Sequence, residues 1–597
     1  MADVPRYKFQ PLPAPEYIRL LYLLPRQDPL DPNDVIRCEL LTVSVFGQVN
    51  DYKAVSYMWG RRDADKDILI RSTDSPDSSY SSFRITENLW TCLRKLSDDI
   101  TKSQCGSSLW IDAICINQAD DAERSSQVAQ MGKIYSSAGE VIIWPRDPAS
   151  SPNSNNTSAL LEFLDKIVKH QPEEVTFDTH LLTYYQDAEC DDMWTRLGEF
   201  CTLEYWSRVW IVQETILATR LAIHCENKDR LRTSSVGQHG LEWENFVRVC
   251  EGLANLPVEW PLLDSVPIIR NSVPLRIASL RASGGYGSLR DLLATFEDSR
   301  CTEARDKIYG LLSLTYVSGQ SIYNVDYSLT MFEVFASVVQ TESSRTSSSV
   351  FGICAFSQLV QRTLGGPFPT LPSSIKLGNE RGPDSTRLLS IGGYLVDRIV
   401  PIEPVRRKST DAAHIRRKRL EALRACCRSP ASSMSDFDRY LASCLSQLES
   451  IPPPCLGHLH SNSSFASENQ LSRLLESDPQ LPFEPQHQQP DCYHRLFLST
   501  NGLVGFGPSC TREDDILCHF VDSDVAAIVR PISNAGIYQI IGRAAICKEF
   551  SEKVTKSRLH RLSPYVFKFR APRVGNHKQI IYFHVDAATL QRLTCPF

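Results

Sequence analysis

The chain has 597 residues, and its 64 Lys and Arg against 70 Asp and Glu give a net charge of −6. That charge is too small and too mixed for a protein that attracts nucleic acid through a global electrostatic field. Apolar residues make up 42% and charged residues 22%, which is ordinary for a globular protein and excludes a chain that is disordered throughout.

Strand-like and helix-like segments alternate over the first part of the chain. Apolar runs at 54–59, 109–116 and 140–144 have the length of buried strands, and the stretches 86–96 and 120–138 carry apolar stripes at helical spacing. Alternation of this kind with short connections predicts βαβ units, in which a parallel sheet is flanked by helices. The predicted fold class is therefore α/β.

The pattern changes three times further along the chain. We predict an α/β domain over residues 1–230 and a mainly helical region over 231–365. Residues 366–490 are rich in Pro, Gly, Ser and Gln, which predicts a loop-rich and partly basic linker. Residues 491–597 carry strand-like runs with an Asn501-Gly502 hairpin signal, which predicts a small β-rich C-terminal domain.

Several function classes find no support in the sequence. It contains no P-loop, HExxH, GxSxG or Rossmann glycine motif. Its 19 cysteines form no CxxC pair, which favours free buried thiols in a reducing compartment and predicts no metal site. Neither a secretory signal nor a stretch of about 18 apolar residues is visible, so we expect no membrane segment.

These features together predict a cytoplasmic protein. Two basic clusters, Arg406–Lys408 and Arg416–Arg419, have the spacing of a bipartite nuclear-localisation signal, so the span Arg406–Arg419 keeps a nuclear location open. A solvated helix face is the alternative interpretation of the same residues. The clusters contain no interleaved aromatic residues, and we predict no nucleic-acid partner.

The segment 206–217 is apolar almost all round and contains one carboxylate. If it is a helix, Trp206, Trp210 and Glu214 stand at i, i+4 and i+8 and share a face. A strand is the alternative, because a short apolar run does not settle the period. A carboxylate is costly to bury alone among Trp, Val and Ile. We therefore expect Glu214 to be paired, to reach solvent or to line a cavity. A salt bridge, for example to Arg208, or a solvated face is the alternative to a functional role.

Polar residues also follow the predicted strands. Asp112 and Asn117 stand at the end of one strand-like run, and Ser56, Trp59 and Gly60 close another. In parallel α/β sheets ligands bind beyond the carboxyl ends of the strands. An aromatic face there can stack on a base or a nicotinamide ring, and a carboxylate can stabilise the positive charge on ribose as a glycosidic bond breaks. Helix capping for Asn117 and a tight turn for Gly60 are the alternatives.

Three stretches of the sequence resemble a known family. YKAVSYMWG at 52–60, the run from LWIDAICINQ to EVIIW at 109–144 and YWSRVWIVQE at 205–214 are similar in order and spacing to the signature blocks of the fungal heterokaryon-incompatibility (HET) domain. The resemblance implies a role in fungal non-self recognition and regulated cell death. HET domains also look like distant relatives of Toll/interleukin-1 receptor (TIR) domains, in which a Trp stands four residues before a Glu, as Trp210 precedes Glu214.

Some TIR domains cleave NAD with a Glu at that position. The resemblance therefore implies NAD glycohydrolysis that depends on self-association, with Glu214 as the catalytic residue and NAD as substrate rather than as a resident cofactor. The residues expected to bind the substrate are Trp210, Asp112, Ser56, Trp59 and Gly60. The alternative is a non-enzymatic adaptor that self-associates, in which Glu214 is salt-bridged and no pocket opens beside it. In both cases the expected partner is another copy of the chain or an incompatibility protein.

Overall fold

The fold was analysed in a computed structural model. The structure describes residues 4–366, 389–401, 421 and 495–594, apart from gaps at 29–30, 32–33, 47–51, 61–65, 75–78, 104–106, 146–156, 227–239, 257–262, 316–322, 346–351, 500–503, 509–510, 522, 524, 534–536, 547–579 and 586. The chain divides into two compact units, Met1–Ser328 and Leu329–Phe597. The basic clusters of Arg406–Arg419 and the Asn501-Gly502 turn lie outside the described residues.

The first unit combines a large sheet with helices. Its strands are β1 (Tyr17–Leu23), β2 (Arg37–Ser44), β3 (Lys53–Tyr57), β4 (Lys66–Ser72), β5 (Ser81–Ile85), β6 (Ser107–Trp110), β7 (Glu140–Trp144), β8 (Leu221–Ile223) and β9 (Leu241–Glu242). Its helices are α1 (Glu87–Ser103), α2 (Asp112–Cys115), α3 (Asp121–Ser137), α4 (Thr157–Lys169), α5 (Phe177–Tyr185), α6 (Asp191–Cys201), α7 (Trp210–Ile216), α8 (Trp243–Ala254), α9 (Ser265–Arg270), α10 (Val273–Ala282), α11 (Leu289–Thr295) and α12 (Asp306–Tyr309).

The sheet of the first unit is mixed, with a parallel centre. Its described strands are ordered β5-β4-β2-β1-β6-β3-β7-β8-β9. The neighbours β6, β3, β7 and β8 are parallel, whereas β1 pairs antiparallel with both β2 and β6. The α/β class with parallel strands is confirmed. The apolar runs of β3 and β7 explain the parallel centre, because strands buried on both faces read as continuous apolar runs.

Two local assignments from the sequence are wrong. The apolar run 109–116 is not one strand, because β6 ends at Trp110 and the short helix α2 follows it. The segment 206–217 is not one helix either. A 3₁₀ turn spans Glu204–Ser207, Arg208 is extended, and α7 begins only at Trp210. Arg208 is extended because it forms a β-bridge with Arg300, a contact that no local pattern encodes.

The second unit contains an antiparallel sheet and three helices among its described residues. Its elements are α13 (Met331–Arg345), α14 (Ile353–Leu364), β10 (Leu389–Pro401), β11 (Arg495–Ser499), β12 (Val504–Gly507), β13 (Ile516–Phe520), β14 (Ala526–Ser533), β15 (Ile537–Ile546), β16 (Ile580–Val585) and α15 (Ala587–Thr594). The strand pairing predicted from the Asn501-Gly502 signal is confirmed, since β11 pairs with β12, and β14 pairs with β15 in the same sheet. β10, which the sequence analysis did not predict, closes a ring of strands through its pairings with β13 and β11, and β16 pairs with β10 outside that ring.

Within the described ranges, none of the helices combines the length and the apolar character needed to cross a bilayer. The cysteines described there are free thiols, and Cys38, Cys92 and Cys115 are among the buried ones.

Gly132 is required where α3 packs against the 3₁₀ turn Leu312–Leu314. A Cβ atom added at Gly132 would lie 2.5 Å from Cβ of Ser313 and 3.3 Å from Cδ1 of Leu217. Ser313 cannot move freely, because its hydroxyl donates to Oε1 of Gln213 at 2.7 Å. Gly132→Ala should stabilise the fold by about 1 kcal/mol through helix propensity. The added methyl group would clash with Ser313, however, and such overpacking destabilises a protein by about 1–3 kcal/mol. We expect a lower thermal unfolding midpoint.

Ser126→Ala, on the same helix and away from that contact, is the matched control. The packing argument fails if Gly132→Ala unfolds at the same temperature as this control or at a higher one.

Candidate functional site

A cavity of about 640 Å³ opens in the first unit at the carboxyl ends of β3 and β6. Its volume is in the range of small-molecule sites. One wall consists of Met58–Gly60, which follow β3, of Asp112, which follows β6, and of residues of α3 and α7. The facing wall comes from residues 300–306 and Tyr327. The cavity thus lies where the parallel centre of the sheet predicts a ligand site.

Four of the six predicted site residues line this cavity. They are Trp59, Gly60, Asp112 and Trp210. The other two, Ser56 and Glu214, do not line it, and their exposed fractions are 0% and 2%. Gly60 has φ of 76°, a left-handed conformation that favours glycine, so the tight turn anticipated for it is present.

Asp112 and Trp59 are joined by a hydrogen bond. Nε1 of Trp59 donates to Oδ2 of Asp112 at 2.9 Å, and the backbone N–H of Ala113 donates to Oδ1 at 2.7 Å. Burial raises the pKa of Asp112, while the nearby Arg208 guanidinium acts in the opposite direction. The indole of Trp59 is therefore held in place against the cavity by a carboxylate.

Glu214 lies in the layer behind the cavity. Ser56 Oγ donates a hydrogen bond to Oε2 of Glu214 and lies 2.6 Å from the hydroxyl oxygen of Tyr205. Burial raises the pKa of Glu214 to about 7, and Arg208 and the Ser56 hydrogen bond oppose that rise. A carboxyl group with this pKa changes its charge near neutral pH, which is the property required of a general acid or base.

Glu214 forms no salt bridge with any residue in the described part of the chain. Within the ranges that the structure describes, no cation lies within the 4.0 Å ion-pair distance of its carboxylate. The guanidinium of Arg208 instead donates to the backbone carbonyl of Tyr57. Glu214 is thus paired, as one of the three expectations had it, but through the hydroxyl group of Ser56 rather than through a salt bridge to a described residue.

Trp206 does not share a face with Trp210 and Glu214. It precedes α7 in the 3₁₀ turn, is 1% exposed and stacks on Phe246 with a ring-centroid distance of 6.5 Å. The predicted aromatic stack along one helix is therefore wrong, and Trp206 belongs to the packed core.

Sequence reasoning missed the facing wall of the cavity. Nε1 of Trp210 donates to Oδ2 of Asp306 at 3.1 Å, and the Tyr327 hydroxyl donates to Oδ1 of the same carboxylate at 2.6 Å. The guanidinium of Arg124 lies 4.2 Å from the centre of the Tyr327 ring. Asp306 thus holds the indole of Trp210 in place and links it to Tyr327, which lies far away in the sequence. No motif signals this pairing, because the residues are 96 positions apart.

No group of three or more His, Cys, Asp or Glu side chains suited to a metal ion occurs among the residues in the described ranges.

The sequence was compared with known proteins. The profile of the family described as Heterokaryon incompatibility protein (HET) matches residues 52–214. The chain carries a HET domain. This domain runs from the start of β3 through most of α7 and holds all six predicted site residues, whereas the wall at residues 300–327 lies outside it.

A similar protein is "Heterokaryon incompatibility protein 6, OR allele" of Neurospora crassa. The two are 28% identical over 357 residues, which cover 53% of this chain and 50% of that relative. The chain therefore matches about half the length of this curated relative. No solved structure matches the HET-domain chain.

The raised pKa of Glu214 predicts a pH-dependent stability. Its pKa is about 7 in the folded protein against an ordinary value of 4.5, so the folded state keeps a proton that the unfolded chain has lost. The contribution of this group is fully present below about pH 4.5 and is lost as the pH rises through about 7, by about 3 kcal/mol. Glu214→Gln, which keeps an oxygen that accepts from Ser56, should remove this dependence.

Unfolding of wild type and Glu214→Gln between pH 4 and pH 8 measures the effect. The two proteins should be similar at the acid end, and the variant should be the more stable one above about pH 7. Parallel pH profiles would mean that Glu214 titrates normally.

Proposed function

We propose that this protein is an effector of heterokaryon incompatibility, the fungal response that recognises non-self after hyphal fusion and kills the fused cell. The HET domain over residues 52–214 and the similarity to a Neurospora incompatibility protein support this proposal. We place its action in the cytoplasm, with further copies of the chain or an incompatibility protein as partners.

We propose further that the cavity binds NAD and that the protein hydrolyses the nicotinamide–ribose bond. The observation that carries this proposal is a buried carboxyl group with a pKa near 7, that of Glu214, one layer behind a cavity lined by Trp59, Trp210 and Arg208. Indole faces suit a nicotinamide ring or a base. An ionised carboxylate suits the positive charge that develops on the ribose.

The proposed reaction is a hydrolysis. The bond between C1′ of ribose and the pyridinium nitrogen breaks, and its electron pair leaves with nicotinamide, which becomes neutral. The oxocarbenium ion that remains is stabilised by the Glu214 carboxylate and is captured by water at C1′. The proton of that water goes to a base, and the products are nicotinamide, ADP-ribose and one proton.

Glu214 must reach the cavity for this chemistry. Its carboxylate is held by Ser56, and Arg208 lines the cavity in front of that layer. We propose that self-association moves Arg208 and opens the Ser56 hydrogen bond, which couples activity to assembly.

The second candidate is a non-enzymatic adaptor that self-associates. The observation that favours it is that Glu214 is 2% exposed and absent from the cavity lining. In this case the hydrogen bonds among Ser56, Tyr205 and Glu214 serve only to satisfy buried polar groups.

Release of nicotinamide from NAD by the purified full chain, at high protein concentration with a crowding agent, tests the first candidate. We expect turnover in wild type, and Glu214→Gln should lower it by about 100-fold or more, because a neutral amide stabilises the oxocarbenium ion poorly. The rate should rise with pH through about 7 as Glu214 ionises.

Glu199→Gln removes an exposed carboxylate on α6, away from the cavity, and should leave the rate unchanged. Turnover that survives Glu214→Gln would remove Glu214 from the catalytic role. Absence of turnover in protein that forms oligomers, as measured by light scattering, would favour the adaptor.

A further inference from the structure

The cavity contains arginines that the proposed chemistry at ribose does not use. Arg124, Arg208 and Arg300 all line it. Arginine is the side chain best suited to phosphate, because its planar fork donates two parallel hydrogen bonds. The surroundings of these three side chains indicate what the cavity binds.

Arg208 and Arg300 are brought together by the backbone. They are partners in an isolated parallel β-bridge, and the N–H of Val209 donates to the carbonyl of Arg300 at 3.0 Å. Within the described part of the chain, neither guanidinium has a carboxylate within the 4.0 Å ion-pair distance. An anion bound in the cavity is therefore a suitable partner for both guanidinium groups.

Arg124 adds a third positive charge to the same cavity. It pairs at 2.9 Å with Asp121, whose side chain is 71% exposed. Its Nε atom is buried and has no hydrogen-bond partner among the described residues. A buried donor without a partner is costly, so this atom too is ready to donate to a ligand.

Asp112 and Glu214 act electrostatically on Arg208, and Asp306 and Glu303 interact with Arg124, but none of them forms an ion pair with these arginines within 4.0 Å among the described residues. Asp306 accepts from Trp210 and Tyr327, and Asp112 accepts from Trp59 and Ala113. The carboxylate of Glu303 accepts from Arg305 at 2.9 Å through both oxygens.

The fourth carboxylate of the lining, Glu204, is exposed to solvent. Three carboxylates are thus already hydrogen-bonded within the protein and the fourth is solvated, whereas among the described residues Arg300 has no ion-pair partner and Nε of Arg124 has no hydrogen-bond partner.

We propose that Arg208, Arg300 and Arg124 bind the pyrophosphate of a nucleotide in this cavity, beside the indoles of Trp59 and Trp210. This inference rests on the proposed function, because the pyrophosphate is that of NAD. Arg300 lies outside the HET domain of residues 52–214, so the segment that follows the domain supplies part of the specificity for the substrate.

Calorimetric titration of the full chain with ADP-ribose and with inorganic pyrophosphate tests the inference. ADP-ribose contains the pyrophosphate but lacks the bond to be cleaved, so its binding is measured without turnover. We expect ADP-ribose to bind more tightly than pyrophosphate. Arg300→Ala should weaken both by about tenfold, the value of one charge-assisted hydrogen bond.

Arg300→Ala should fold, because the side chain is exposed and the β-bridge uses only backbone atoms. Its thermal unfolding should match that of wild type. Arg300→Lys keeps the charge but loses the planar guanidinium group. Its affinity for both ligands should lie between that of wild type and that of the alanine variant. Arg196→Ala removes an arginine that pairs with exposed Asp192 on α6, away from the cavity, and should bind like wild type.

Equal affinity of Arg300→Ala and wild type would overturn the inference, as would the absence of binding to wild type. Pyrophosphate that binds as tightly as ADP-ribose would also overturn it, since the site would then be a simple anion site.

Nicotinamide release measured in parallel separates the two proposals. Binding that depends on Arg300, without release, would refute cleavage and leave the nucleotide site in place. If wild type releases nicotinamide but Arg300→Ala binds ADP-ribose as tightly as wild type does, the cleavage proposal stands and the assignment of Arg300 is refuted.

Discussion

The buried carboxyl group of Glu214 constrains the centre of the first unit. Removing a carboxylate from water is costly, and the surrounding groups limit that cost without a salt bridge. Ser56 on β3 donates to it, Tyr205 lies beside Ser56, and Arg208 acts on it electrostatically. The identities of these residues follow from that constraint. An apolar residue at position 56 would remove the hydrogen bond, and an apolar residue at 208 would remove the nearest opposing charge.

Much of the fold could be predicted from local patterns. The apolar runs that became β3 and β7 identified the parallel centre, because complete burial leaves a continuous apolar signature. Long-range contacts decided the rest. Arg208 is extended rather than helical because of its bridge to Arg300. β10 was not predicted within a loop-rich segment, because its partners β13 and β16 lie far along the chain.

In the candidate site, too, the residues marked by local sequence patterns were predicted and those brought in by long-range contacts were not. Trp59, Gly60 and Asp112 were anticipated because they directly follow strands, where ligands bind in parallel sheets. Asp306 and Tyr327 were not, because their link to Trp210 joins segments far apart in the sequence. Side-chain partners show this as well. Glu123 has capping-box spacing from Asp120, yet its carboxylate binds buried Arg19 at 2.6 Å instead.

The pairing of β10 with β16 in the second unit has a consequence for the order of folding. β10 ends at Pro401, and its partner β16 begins only at Ile580. Contacts so distant in sequence carry a large loop-closure cost and form slowly. During synthesis, β10 emerges from the ribosome with unpaired backbone groups and stays without β16 until the end of that long interval has been translated. The first unit ends at Ser328, so it is fully synthesised and can fold before β16 emerges, which leaves β10 as a strand still unpaired with β16 while the N-terminal unit is already folded.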